Sequence, residues 1–154
     1  MERREKMNKY EEIKKLINSA GESVEFAEFG NGVSDEWIVN AEERLGFKLP
    51  NSYKWWLSNY SGGEICAAEI FSIYGQDFDT VIGGDIVYMY ELNRKNNNFS
   101  DEKVIICEAD DDVFYFDLTM GSQENELPVF SLKNNEKYAD DFIEFLKRRI
   151  TESI

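Results

Sequence analysis

The sequence predicts an α+β fold, a mainly antiparallel sheet flanked by helices, and three observations carry that prediction. Short aromatic and β-branched runs divided by Gly, Asn, Asp and Pro fill the middle and later part of the chain, as strands do. Apolar residues with a period near 3.6 mark segments before and after them. A length of 154 residues favours one compact unit spanning 1–154, with its core in about residues 10–150, and is enough to bury a core without disulfides or metal.

Residues 9–19 place Tyr10, Ile13, Leu16 and Ile17 at helical spacing, with Gly21 as a stop. Ser34 is a good N-cap for a second helix. Asp35 and Glu36 in its first turn complement the dipole, Trp37, Ile38, Ala41 and Leu45 form its buried stripe, and Gly46 ends it. Pro50 suits the start of a third helix, on which Tyr53, Trp56, Leu57 and Tyr60 recur before Gly62-Gly63 breaks it, and these two helices are expected to pair. Strands are expected in 64–74, 104–107, 113–117 and 128–132, with a helix at 85–94, where Ile86, Met89, Tyr90 and Asn93 keep helical spacing. Residues 94–103 and 119–127 read as polar loops. A last helix is predicted over 136–150, with Tyr138, Phe142, Phe145, Leu146 and Ile150 inward and Lys147, Arg148 and Arg149 at its C-terminal end.

Composition narrows function. There are 31 Asp plus Glu against 17 Lys plus Arg, a net charge of −14, so nucleic acid is repelled rather than bound. The absence of His removes imidazole triads, Cys-His pairs and imidazole metal ligands. Cys66 and Cys107 lie in apolar stretches without CxxC spacing and are expected to be buried free thiols. The first residues carry no apolar export segment and no run is long enough to span a membrane, so a cytoplasmic protein is expected, and the sequon at Asn98 carries no weight. Residues 1–15 and 147–154 each sum to +2, whereas 16–146 sum to −18. The basic ends, with Arg3, Arg4 and Lys6 at one and Lys147, Arg148 and Arg149 at the other, read as solvated termini. No Lys or Arg occurs in 55–93 or in 104–132, stretches that hold six and seven carboxylates and can contribute a one-sign surface.

The segment LGFKLPNSYKWWLSNYSGGEI, residues 45–65, resembles the signature of the SUKH superfamily (SMI/KNR-like), which contains bacterial immunity proteins and yeast cell-wall assembly regulators. Phe116-Asp117-Leu118, Pro128-Val129 and the final Ala139, Phe142, Phe145 and Leu146 agree with the same pattern in order. Most of these residues are core and turn residues, so they identify a fold and not a site. The resemblance implies a SUKH-like single domain whose bacterial relatives neutralise a co-encoded toxin, often a nuclease. The eukaryotic regulators carry long disordered flanks, which are not expected for this protein.

Asp110, Asp111 and Asp112 between two predicted strands put three carboxylates in one turn, which reads either as a solvated turn or as an acidic patch for which a Lys- and Arg-lined nuclease groove built for phosphates is a natural partner. Exposed aromatic residues are expected beside the acids as anchors. Asp77-x-Asp79 resembles the start of a calcium loop and of a haloacid-dehalogenase-like phosphatase motif. The calcium reading fails at Ile82 and Tyr88, where Gly and Glu are needed. The phosphatase reading is disfavoured because Ile-Tyr-Gly-Gln before Asp77 is unlike a buried parallel strand. Gly30-x-Gly32 lacks a third glycine for nucleotide binding, and carboxylate pairs cannot be identified among 31 acids. The expected function is therefore a non-enzymatic immunity protein, needing no cofactor or metal, that binds a basic toxin protein through Glu64, Asp77, Asp79, Asp85, Glu108, Asp110, Asp111 and Asp112. The alternatives are a scaffold or regulator of cell-wall synthesis and a metal-dependent phosphohydrolase.

Overall fold

The computed structural model describes residues 2–121 and 124–153, with the side chains of 2–8 and of 153 outside that description. The expectation for Arg3, Arg4 and Lys6 therefore lies outside the described side chains. The elements run α1 (Glu2–Ser19), β1 (Val24–Phe26), α2 (Asp35–Leu45), α3 (Asn51–Tyr60), β2 (Gly63–Ile65), β3 (Ala68–Ile70) and α4 (Ile86–Lys95). They continue with β4 (Lys103–Glu108), β5 (Val113–Asp117), β6 (Val129–Ser131), β7 (Glu136–Ala139) and α5 (Phe142–Ser153).

The seven strands form one sheet in sequence order, every neighbouring pair antiparallel, which is the α+β architecture that the strand spacing predicts. One ladder joins Phe26, Gly63, Ile70, Cys107, Phe114 and Ser131. Side chains in a ladder share a face, and this face is the one the helices cover: Phe26 meets Trp56 of α3 at 5.4 Å and Phe114 meets Phe145 of α5 at 5.2 Å. Tyr53, Trp56, Phe114, Phe116, Phe142 and Phe145 fill the space between, all essentially buried. Edge-to-face pairs such as Tyr53–Phe142 add attraction beyond area burial.

The helix ends are capped as the sequence allows, and some caps come from far away. Ser34 accepts from the Trp37 amide, and Gly46 closes α2 in the left-handed conformation. At α3 the N-terminal amide of Ser52 is met by Glu126, 74 residues on, at 2.9 Å, and the Ser52 hydroxyl donates to the same carboxylate. Burial pushes the Glu126 carboxyl above its ordinary value of 4.5. Asp141 caps α5 by accepting from Glu144 N and forms an ion pair with Lys9, tying α1 to α5.

Five expectations are corrected. Residues 64–74 form not one strand but the β2–β3 hairpin, turned by Cys66 and Ala67 at φ 49° and 67°. Cys66 is consequently exposed, and only Cys107 is a buried thiol, pushed up to about 12 by desolvation. Residues 136–139 are strand β7, and the last helix begins at Phe142. Tyr138 still reaches Phe114 and Phe145, but from the sheet. α2 and α3 do not chiefly pack on each other: α2 leans on α4, and α3 on α5. Trp37 is only half-buried, unlike Ile38, Ala41 and Leu45 of the same helix. Strand β1 was not expected at all.

Candidate functional site

Register builds the site. Glu25, Glu64 and Glu69 stand directly opposite one another across β1, β2 and β3, and Glu108 follows Cys107, which pairs with Ile70, the residue after Glu69. Their neighbours Phe26, Ile65 and Ile70 occupy the helix-covered face, so period-2 alternation puts these glutamates on the opposite, outer face. Among the described residues none of the four meets a Lys or Arg. Like charges directly opposite in a sheet are destabilising, so the row is repulsive and has no counter-ion among the described residues.

Glu69 is held in place. Its carboxylate accepts from the Tyr74 hydroxyl at 2.9 Å, and that hydroxyl in turn accepts from the Gly84 amide at 2.8 Å. Burial raises the Tyr74 phenol, with the Glu69 bond adding to it, so the hydroxyl stays a donor. Tyr74 is positioned by Asp85, a fully buried carboxylate that accepts from Tyr74 N at 3.0 Å through one oxygen and from Val87 N and Tyr88 N through the other, capping α4. A parallel bridge between Ser72 and Asp85 fastens the same two segments.

Beside this row lies a cleft of about 690 Å³ between the start of α2 and the segment after β3, walled by Trp37 and Tyr74, with Glu69, Asn31, Gln76 and several glycines completing it. Its near wall depends on Gly32, where a Cβ would lie 1.8 Å from the Ser58 carbonyl oxygen. Only glycine lets this loop dock on the end of α3, through Gly30 N to Asn59 O and Val33 N to Leu57 O. Trp37 also borders a second groove with Asn40, Glu43, Arg44, Asp77 and Phe78, and meets Phe78 edge-on at 5.6 Å. Ile82, 72% exposed, and Tyr74, 39% exposed, are apolar surface next to these acids.

The eight predicted residues therefore separate. Glu64 and Glu108 belong to the glutamate row. Asp110 and Asp111 are exposed in the β4–β5 turn, at the same end of the sheet as the Cys66–Ala67 turn by register. Asp77 and Asp79 are exposed on the other side of Trp37. Asp79 is paired with Arg44 at 2.8 Å, which Glu91 also binds at 2.7 Å, and Asp77 accepts from Asp79 N. Asp85 is corrected, because its buried carboxylate is fully used by backbone amides and can meet no partner. Asp112 is largely structural too: it accepts from Val113 N, Lys133 N and the Ser131 hydroxyl. The prediction missed Glu25, Glu69, Trp37 and Tyr74. The Val-Glu-Phe alternation at 24–26 was a usable strand signal for Glu25, whereas Glu69 becomes visible only once the tight hairpin is known.

Among the described residues no group of three or more His, Cys, Asp or Glu is arranged to hold a metal ion. No described helix is long and apolar enough to cross a membrane.

A family model described as SMI1-KNR4 cell-wall, of the SUKH group, matches residues 11–151. A crystal structure of a protein from Pseudomonas syringae pv. tomato is similar in fold, with a TM-score of 0.59 at 13% sequence identity over 87% of this chain and 95% of that one.

Proposed function

We propose that this chain, which belongs to the SMI1-KNR4 cell-wall family of the SUKH superfamily, is an immunity protein that binds a toxin domain with a basic surface. The superfamily contains immunity proteins and cell-wall regulators. The row Glu25, Glu64, Glu69 and Glu108, without a counter-ion among the described residues, is the observation that carries the immunity reading, because a repulsive surface gains most from a cationic partner. Asp110 and Asp111 extend the row at one end, and Tyr74 and Ile82 supply the exposed apolar area that slow dissociation needs. Inhibition is by occupation: fixed carboxylates take the Lys and Arg that a nuclease groove offers to phosphates, and the chain itself catalyses nothing and requires no cofactor. Its place of action on this reading is the cytoplasm.

The test starts with the genes beside this one and proceeds to co-expression. A toxin domain encoded next to the chain should stop growth alone, and the chain should restore it. Glu25→Gln, Glu64→Gln and Glu69→Gln together should slow association and flatten its salt dependence. A toxin unaffected by the wild-type chain, or a gene setting of envelope synthesis with no toxin, overturns the reading.

A further inference from the structure

We propose that the cleft between Trp37 and Tyr74 receives one arginine side chain of the basic partner, an inference that rests on the immunity reading. The cleft is continuous with the glutamate row, because Glu69 belongs to both. Tyr74, itself held by the Gly84 amide, fixes that carboxylate by donating to Oε2, while Oε1, which lies against Gly84, has no hydrogen-bond partner among the described residues. The side-chain amides of Asn31 and Gln76, also in the lining, make no hydrogen bond among the described residues. A carboxylate and two side-chain amides in one cleft suit the five donors of a planar guanidinium better than the point charge of an ammonium, and the indole and phenol rings offer it flat faces.

The start of α2 also borders the cleft, and a helix N-terminus by itself favours anions. Here Asp35 and Glu36 occupy its first turn and no Lys or Arg lines the cavity, so the local charge is negative. The volume exceeds that of one side chain, leaving room for the flanking main chain of a protein partner.

The test is a titration of the ¹⁵N-labelled full chain with the peptide acetyl-Gly-Arg-Gly-amide, against the same peptide carrying neutral, isosteric citrulline. The arginine peptide should shift the Trp37 indole N–H and the Gly62 and Gly75 amides saturably, and citrulline should leave them in place. Glu69→Gln, at an exposed position and with an amide oxygen that can still accept from Tyr74, should weaken binding about tenfold, equivalent to about 1.4 kcal/mol. Equal shifts with citrulline, wild-type affinity in Glu69→Gln, or shifts confined to the β4–β5 turn overturn the proposal. Growth rescue without peptide binding defeats the cleft inference and leaves the immunity reading standing. Peptide binding without rescue does the reverse, retaining guanidinium recognition and removing the toxin as its source.

Discussion

Replacing Glu64 by Lys should make the free protein more stable while impairing what it binds. Glu64 sits between Glu25 and Glu69 and faces both. Each direct like-charge pair costs roughly 0.5 kcal/mol, and each opposite-charge pair returns a similar amount. Glu64→Gln therefore gains about 1 kcal/mol and Glu64→Lys about 2 kcal/mol. Unfolding entropy near 2.1 cal/mol/K per residue gives roughly 0.3 kcal/mol/K for a chain of this length, so Glu64→Lys should raise Tm by about 6 °C. Differential scanning calorimetry at low ionic strength and again at 1 M NaCl measures it, because a Debye length of about 3 Å at the higher salt should remove most of the gain. Glu11→Lys, on an exposed part of α1 away from the sheet, changes net charge equally and serves as the control. A Tm that does not rise, that rises equally in the control, or that rises equally in high salt would refute the argument from register. The same variant should slow association with a basic partner, a stability gain at the expense of function.

Three further outcomes follow from buried groups. Asp85→Asn keeps one acceptor oxygen but turns an NH₂ toward Tyr74 N, orphaning a donor at a buried site; urea denaturation should show a loss of about 2 kcal/mol, and an unchanged midpoint would contradict the capping role. In the native protein a disulfide reagent should titrate one thiol, Cys66, while Cys107, pushed up to about 12 by burial, reacts only after unfolding; two fast thiols would contradict its burial. Glu126 is raised by burial, so the folded state keeps its proton to higher pH than the unfolded chain, and stability falls as pH climbs from the ordinary 4.5 through the raised value. Glu126→Gln should therefore gain relative to wild type between pH 4 and pH 7 in urea unfolding, and a relative loss would reverse the sign.

Elements whose apolar period agrees with their caps were legible. For α2, Ser34, the acidic first turn and Gly46 bound the apolar stripe at both ends, and the structure follows them. α4 was readable from the helical spacing of Ile86, Met89, Tyr90 and Asn93, of which the structure buries Ile86, Tyr90 and Asn93. The misreading of Asp85 came from treating every carboxylate in an acidic stretch as surface, although the parallel bridge that buries it is a tertiary event. β7 was hidden by a coincidence of phase. Tyr138, Phe142 and Phe145 have helical spacing, and all three reach the same aromatic cluster, but Tyr138 enters it from the sheet and the other two from α5. The signal that separates them is Asp141 followed by Glu144, an N-terminal capping pattern that starts the helix after the strand.

The glutamate row was illegible for a more basic reason, because it is a property of register and not of composition. Glu25 and Glu64 lie far apart in the chain, and Glu64 and Glu69 share a face only because the hairpin turns in two residues. Such turns are normally announced by Asn-Gly or Asp-Gly, residues that accept positive φ cheaply; here Cys66 and Ala67 hold φ 49° and 67° without that help. A one-residue slip in this turn would send Glu69 to the helix-covered side and Ile70 to solvent. Burial of Ile65 and Ile70 in the core, each 1% exposed, opposes that slip. The core thus fixes the register, the register aligns four carboxylates that repel one another, and that repulsion is the free energy a cationic partner can relieve.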